Sequence, residues 1–563
     1  MRNRYLKNII PLIFLGIISC ETVELDLTEN PNQVSTENLD PDFLFNNVQL
    51  SFANFVESAA GGSSFTSQVS RHFAMTGGNT YENAFSPISF SGIWNNAYAQ
   101  VLVDIAALEP IAEELDLKYH LGVSKILKAY TYITLVDIFG NVPYSEALQG
   151  NENLNPTSDS QVDVYVAMLN ELDEAINILK GTPALFPPED LYFSDGGIVD
   201  DTSKASWVTV AKTLKLRVYN NTRLAGSDIG VDIFSEIQSL VEENDLIDVS
   251  SEDWVIQYGA NRLNPGTRHP GYYQYYEASA AGYMSNFLMW EMISEKGFDD
   301  PRLPYYFYRQ DTNATNEDVF TLGCVESDAP PHYANYVSIF DDVTPVPFCV
   351  ASAPRGYWGR DHGDNGGIPP DGEKRTIFGL YPVGGSYDDG SGDSAQEEGS
   401  TGQLGEGITP IITSFHVKFI LAESALVSGS PADARKYLLA GIEESLNKVI
   451  GFLGVPGNAT STDIDNYRDF VLDAYDNAAN DDERLEIIIK ELHIATFGNG
   501  LEAYNAYRRT GFPSNMQPTL IPNSGSFYNS AIYPANFVNL NSNATQKDRT
   551  ERIFWDKNNL TLH

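Results

Sequence analysis

Helical periodicity dominates two long parts of the chain, about residues 39–244 and 408–500. In the run 90–108, apolar side chains recur at three- and four-residue spacing, which predicts a helix with Trp94 in the core. Pro110 is expected to end this helix. The second block repeats the pattern with Phe415, Phe419 and Ala422 on one face. Because the links between these helices are short, we expect consecutive helices to pack in pairs.

The segment between the two blocks, about residues 245–407, has a different pattern. Gly, Pro, Tyr and Asp are dense there and apolar runs are short. One helix is expected at 285–295, capped by Ser285, and residues 381–393 are expected to form a mobile surface loop. Long irregular inserts in compact proteins are usually functional or disordered. We therefore predict a mostly α fold of paired helices with a large loop-rich insert that carries the ligand face.

The first twenty residues, MRNRYLKNIIPLIFLGIISC, determine where the chain is located. Arg2, Arg4 and Lys7 precede an apolar run too short to span a bilayer, and a small serine stands directly before Cys20. Residues 1–19 are predicted to be a lipoprotein-type signal peptide, Cys20 the acylated residue, and residues 20–38 a polar tether. The alternative is an ordinary signal peptide with a chance cysteine. The prediction is a lipid-anchored, extracytoplasmic protein of a Gram-negative bacterium.

Charge and cysteine content narrow the possible partners. The formal net charge is −41, which opposes binding to nucleic acid or anionic lipid head groups. Besides Cys20 there are two cysteines, Cys324 and Cys349, which we predict to form a disulfide. The alternative is two unrelated buried thiols. Neither has a CxxC neighbour, so zinc or thiol redox chemistry is not expected.

Aromatic and planar polar residues in the insert predict carbohydrate binding. Sugar rings stack on aromatic faces while their hydroxyls bond to planar polar groups. The residues that offer this combination are Tyr272, Tyr273, Tyr357, Trp358, Arg360, Asp361 and Asn365. The alternative is that these aromatic side chains fill the core of the insert.

Catalytic and metal-binding patterns are weak. The loop 361–367 resembles a calcium loop, but Gly363 and Gly372 stand where oxygen ligands belong, so we favour a solvated acidic turn and predict no metal or other cofactor. The sequence has no GxSxG, HExxH or Walker motif, and its many carboxylates form pairs by chance. We predict that the protein is not an enzyme.

Seven short motifs in order resemble those of the SusD/RagB family of outer-membrane nutrient-binding lipoproteins. The resemblance covers nearly the whole mature chain, residues 39–563 as one domain, and residues 357–364 look more like a branch distinct from the starch-binding prototype. The motifs are NPN at 30–32, DIFGNVPY at 137–144, WVTVAKTLKLR at 207–217, DPRLP at 300–304, FILAESA at 419–425, RRTGFP at 508–513 and YPAN at 533–536.

The resemblance implies helices paired as in tetratricopeptide repeats and a protein that closes over a TonB-dependent β-barrel transporter of the SusC type. Such proteins capture an oligosaccharide, or in some members a peptide, and deliver it to the barrel. Early loops of the family contribute to the ligand face, so Arg71, Asn79 and Tyr81 are further candidates. The alternative function is a structural or adhesive surface lipoprotein.

Overall fold

The computed structural model describes residues 40–181, 188–194, 199–278, 282–312, 327–349, 355–366, 372, 374–395, 398–558 and 562–563. The predicted signal peptide, Cys20, the tether and Cys324 lie outside these residues. Within the described ranges, no helix is long and apolar enough to cross a membrane.

The first helical block runs to residue 243, and its long helices pack on their neighbours in sequence. Its elements are α1 (Pro41–Ala60), α2 (Phe65–Val69), α3 (Tyr81–Ala84), α4 (Ser91–Asn96), a π-helical turn (Ala97–Val101), α5 (Leu102–Glu114), α6 (Lys118–Phe139), α7 (Gln161–Gly181), α8 (Asp201–Asn221), α9 (Gly226–Ile229) and α10 (Ile233–Glu243).

The expectation that Pro110 ends a helix is wrong. Pro110 lies inside α5, which continues to Glu114. Proline removes one backbone hydrogen bond, to the carbonyl four residues earlier. That carbonyl belongs to Ala106, an exposed residue, so water can replace the lost donor.

The insert begins and ends at a two-stranded antiparallel ladder, in which Trp254 pairs with Ile412 and Gln257 with Ile408. The helix predicted at 285–295 forms, with Ser285 as its cap. The elements are β1 (Trp254–Gln257), α11 (Pro270–Tyr272), a π-helical turn (Tyr273–Glu277), α12 (Asn286–Ile293), α13 (Leu303–Tyr306), β2 (Phe307–Tyr308), β3 (Ile377–Phe378) and β4 (Ile408–Ile412).

The second helical block follows β4 directly and extends beyond the predicted residue 500. It contains α14 (Ser414–Val427), α15 (Pro431–Val449), α16 (Ser461–Asn477), α17 (Asp481–Ala495), α18 (Gly500–Thr510) and the short α19 (Ala535–Leu540). Helices α14 and α15 pack on each other, and α17 packs on α14. The fold is therefore mostly helical, as predicted.

Much of the insert packs into one hydrophobic cluster, which Phe73, Val449 and Phe497 of the helical blocks also join. Tyr381 and Val383 are fully buried in it, next to Tyr306 and Phe378. The prediction that residues 381–393 form a mobile loop is therefore wrong for its first part. The glycine-rich composition here reflects close packing, because a side chain on Gly384 would collide with the backbone of Glu406.

Buried charges connect helices that are distant in sequence. Asp137 at the end of α6 accepts hydrogen bonds from Arg217 (3.2 Å), Asn505 (2.9 Å) and Trp555 (3.1 Å). Arg217 also donates to Glu502, with 2.6 Å between Nε and Oε1. In this way α6, α8 and α18 share one fully buried network.

A second buried network centres on Glu423 of α14. Arg509 binds both of its carboxylate oxygens, at 2.8 and 2.7 Å, and Arg223 donates to it at 2.9 Å. Burial alone would raise the pKa of Glu423, but the two arginines lower it to about 2. The carboxylate is therefore ionised at neutral pH and provides a negative charge that both guanidinium groups share.

Replacing Glu423 by Gln should lower the free energy of unfolding by about 3–5 kcal/mol, because Arg509 and Arg223 would remain buried without a counter-charge. Urea unfolding at neutral pH measures this. The control is Asp433→Asn, which removes an exposed ion pair with Lys436 and should cost about 0–1 kcal/mol. Equal losses in the two variants would contradict the structural role of the network.

Candidate ligand-binding cleft

Three segments singled out by the sequence meet in one place. Phe73 forms an antiparallel bridge with Met284, and the neighbouring Ser285 forms a parallel bridge with Arg360. The amide of Ala74 donates to the carbonyl of Tyr283 at 3.0 Å. The early loop, the start of α12 and the segment 357–365 are thus held side by side.

Several predicted ligand residues act as buried anchors at this junction. The guanidinium of Arg71 donates to the carbonyls of Val69, Gln517 and His563 at 2.5–3.0 Å, and Tyr81 is hydrogen-bonded to His362 at 3.0 Å. Both side chains are almost completely buried. The prediction that Arg71 contacts the ligand is therefore corrected, because its guanidinium group donates its hydrogen bonds to carbonyls of the protein.

Asp361 is another buried anchor. Its carboxylate accepts from Asn286 (3.1 Å), from Gln517 (2.8 Å) and from the amide of Cys349 (2.5 Å). Burial raises its pKa to about 7, although these hydrogen bonds act in the opposite direction. With every partner supplied by the protein, Asp361 is not available to a ligand in this conformation.

Trp358 and Tyr272 also belong to the interior. Trp358 is 1% exposed, and its amide donates to Thr376 at 2.7 Å. Tyr272 is fully buried and stacks on Tyr276, with ring centroids 4.6 Å apart. Neither ring has a free face for a sugar, so the alternative interpretation, that the aromatic residues fill the core of the insert, holds for these two.

The remaining predicted residues are distributed over the surface and its edges. Tyr273 is 61% exposed, Asn365 is exposed and Asn79 is half-buried. Arg360 is nearly buried and lies over the ring of Tyr283, 4.2 Å from its centroid. Tyr357 lies beneath Arg309 at the floor of a separate cleft.

A cleft of about 510 Å³ opens where the early loop meets Gln274 and Gly282. We call it the Gln274 cleft. Its lining residues are Ser58, Ser63, Ser64, Phe65, Gln68, Phe73, Ala74, Thr76, Gly77, Ala84, Phe85, Ser89, Gly92, Ile93, Gln274 and Gly282.

The lining combines aromatic and neutral polar groups. Phe65, Phe73 and Phe85 provide apolar surface, while Gln68 and Gln274 provide amides that both donate and accept. None of the described lining residues carries a charge. The volume falls within the range of small-molecule sites. Sequence reasoning proposed neither Gln68 nor Gln274 as a ligand residue.

Two further features are the predicted disulfide and the metal-binding potential of the described residues. Cys349 is disulfide-bonded, whereas its predicted partner Cys324 lies outside the described residues. Within the described part of the chain, no group of three or more His, Cys, Asp or Glu side chains is arranged to hold a metal ion.

Fold and cleft together define a helical-repeat scaffold that carries a ligand cleft at the edge of an irregular insert. A family model described as "Starch-binding associating with outer membrane" matches residues 31–344. A second, described as "Susd and RagB outer membrane lipoprotein", matches residues 406–551. The chain belongs to the SusD/RagB family, whose members are nutrient-binding proteins of the outer membrane.

Solved structures agree on the fold. A SusD homologue from Bacteroides fragilis is 19% identical, with 92% of this chain and 99% of that chain covered and a TM-score of 0.62. A chitin-binding SusD homologue from Flavobacterium johnsoniae is 20% identical, with 92% and 98% covered and a TM-score of 0.59. A structure described as a chitin-binding protein is 17% identical, with 92% and 100% covered and a TM-score of 0.65. Comparison with curated protein sequences found no significant match.

Replacing Trp358 by Ala should lower the free energy of unfolding by about 3–5 kcal/mol, because it leaves a cavity in the core of the insert. Urea unfolding followed by circular dichroism measures the loss. The control is Tyr273→Ala at an exposed aromatic position, which should change stability by less than about 0.5 kcal/mol. If Trp358→Ala were as stable as the unchanged chain but bound ligand more weakly, the result would contradict the structural role and support a role of Trp358 in binding.

Proposed function

We propose that this chain is a lipid-anchored cell-surface protein that binds a neutral oligosaccharide in the Gln274 cleft and delivers it to a SusC-type TonB-dependent β-barrel transporter. The observation that carries this proposal is the uncharged lining of the cleft in a chain whose net charge is −41. A recess without charged side chains suits an uncharged ligand, because it offers an ionic ligand no counter-charge in place of the water that the ligand loses.

The chemistry of the lining also fits a sugar. A hydroxyl both donates and accepts a hydrogen bond, and the amides of Gln68 and Gln274 and the hydroxyl of Thr76 do the same. The exposed ring of Tyr273, next to Gln274 in the chain, offers an aromatic face near the cleft. Chitin oligosaccharides are the first ligands to test, because two of the similar structures are described as chitin-binding.

Binding without catalysis follows from the same lining. Glycoside hydrolysis needs two carboxylates placed on either side of the scissile bond. The described residues of the Gln274 cleft include no carboxylate. We therefore propose that the ligand leaves the protein unchanged.

Replacing Gln274 by Ala should weaken binding of chitotriose by about 1 kcal/mol, roughly fivefold in Kd, because one hydrogen-bonding amide is lost. Isothermal titration calorimetry of the purified chain measures this. Gln238→Ala, on the exposed face of α10, is the matched control and should not change Kd. If chitotriose does not bind, maltotriose and a panel of basic and acidic peptides follow, and binding of charged peptides alone would contradict the proposal.

Delivery to a transporter requires a stable complex in the membrane. Affinity capture of the full lipidated chain from mildly solubilised outer membrane should bring a large β-barrel protein in near-equal amount. Capture of the chain alone in several mild detergents would contradict the delivery step and favour a freestanding binding or adhesive lipoprotein. The glycan titration is independent of this result.

A further inference from the structure

A second cleft, of about 670 Å³, lies between the insert and the second helical block and shares no lining residue with the Gln274 cleft. We call it the Tyr387 cleft. It is formed by residues 298–304, 355–357, 387–390 and the start of α16 with the loop before it. The predicted ligand residue Tyr357 belongs to this cleft.

The floor of the Tyr387 cleft is fixed by a buried ion pair. Arg309 binds both oxygens of Asp388, with Nε–Oδ2 at 2.6 Å and Nη2–Oδ1 at 2.9 Å. The same guanidinium lies 4.8 Å from the ring centroid of Tyr357. Asp388 and Tyr357 are both nearly buried, so these planar groups are held in place before any ligand arrives.

Tyr387 forms one wall and is only half-buried. The edge of its ring packs against Tyr305, with centroids 4.8 Å apart, and its hydroxyl oxygen accepts from the amide of Asn458 at 2.9 Å. The orientation of the ring is therefore fixed at both ends. An aromatic ring that is fixed and partly exposed can stack on a sugar with little loss of side-chain entropy.

The rim carries an exposed ion pair. Arg355 binds both carboxylate oxygens of Asp299, at 2.8 and 2.5 Å, and each side chain is close to half exposed. Exposed pairs of this kind contribute about 0–1 kcal/mol, so a ligand can separate them at small cost. Asp389 and Asn466 add further exposed polar groups on the same rim.

The charges of the cleft exclude one class of ligand. Its lining holds Asp299, Asp300, Asp388, Asp389 and Asp463 against Arg309 and Arg355, so an anion would be repelled. A neutral sugar meets no such repulsion. Its vicinal hydroxyls can accept from the Arg355 fork and donate to Asp299, since arginine only donates and an ionised carboxylate only accepts.

We propose that the Tyr387 cleft is a second saccharide site, in which a pyranose ring stacks on Tyr387 and its hydroxyls insert between Arg355 and Asp299. The inference rests on the proposed function, because it assigns the same class of ligand to both clefts. It adds that one chain binds two short oligosaccharides at once.

Equilibrium dialysis with radiolabelled chitotriose, and in parallel maltotriose, counts the molecules bound per chain at saturation. The full chain should bind two. The double variant Arg355→Ala/Tyr387→Ala should bind one, and so should Gln274→Ala/Thr76→Ala. Arg355→Ala alone should weaken the second site about tenfold, because it removes a charged donor.

Two controls separate binding from folding. Tyr387→Phe keeps the ring and loses only the hydroxyl, so it should still bind two trisaccharides. Arg435→Ala removes a matched exposed bidentate pair, with Asp476, outside both clefts and should change nothing. If the variant with Tyr387→Ala does not fold, Arg355→Ala alone still tests the second site.

Each outcome decides between the two proposals. In one outcome, the full chain binds one trisaccharide, and that binding is lost in Gln274→Ala/Thr76→Ala but unchanged in Arg355→Ala. This result would overturn the second site and leave the proposed function intact. One trisaccharide lost only with the Arg355 and Tyr387 variants would support this site and remove the Gln274 cleft. If neither trisaccharide binds to the full chain, the proposed function fails and the second site with it.

Discussion

The fold depends on buried ion pairs that join helices distant in sequence. Asp137, Arg217 and Glu502 bring together α6, α8 and α18, and Glu423 with Arg509 and Arg223 joins α14 to the same scaffold. A buried charge is costly unless it is paired, so each of these residues requires the others. We infer that hydrophobic contacts hold the paired helices together and that the ion pairs select which helices meet.

The same principle attaches the irregular insert to the scaffold. Lys490 of α17 contacts Glu291 of α12 at 2.6 Å and Glu295, just beyond α12, at 2.9 Å, and all three side chains are buried. Because α12 begins at the bridge between Ser285 and Arg360, this link also positions the segments beside the Gln274 cleft. A long insert with little regular structure can therefore present a defined cleft.

The fold was more predictable than the site, and the reason lies in particular residues. Asp137, Arg217 and Arg509 stand in the motifs that carry the family resemblance, and each takes part in a buried ion pair of the scaffold. Trp358 and Asp361 were predicted to bind ligand because an aromatic residue beside planar polar groups is typical of sugar sites. A buried polar network in an aromatic core requires the same residue types, and composition alone does not separate the two. The prediction for Tyr381 failed because packing outweighed the loop-like composition around it, whereas Pro110 is tolerated because the carbonyl that lost its donor belongs to an exposed residue of α5.

Because the motif residues hold the scaffold together, the family resemblance says little about the ligand. Residues of the motifs at 137–144, 207–217, 419–425 and 508–513 are occupied by partners within the scaffold, so they determine the architecture and contact neither cleft. The Gln274 cleft is instead lined by Ser, Thr, Gln, Gly and Phe, which no motif singles out. Specificity must then be argued from the surface itself. The proposal of an uncharged sugar therefore rests on one property of that surface, which is a recess without charged side chains on an acidic protein.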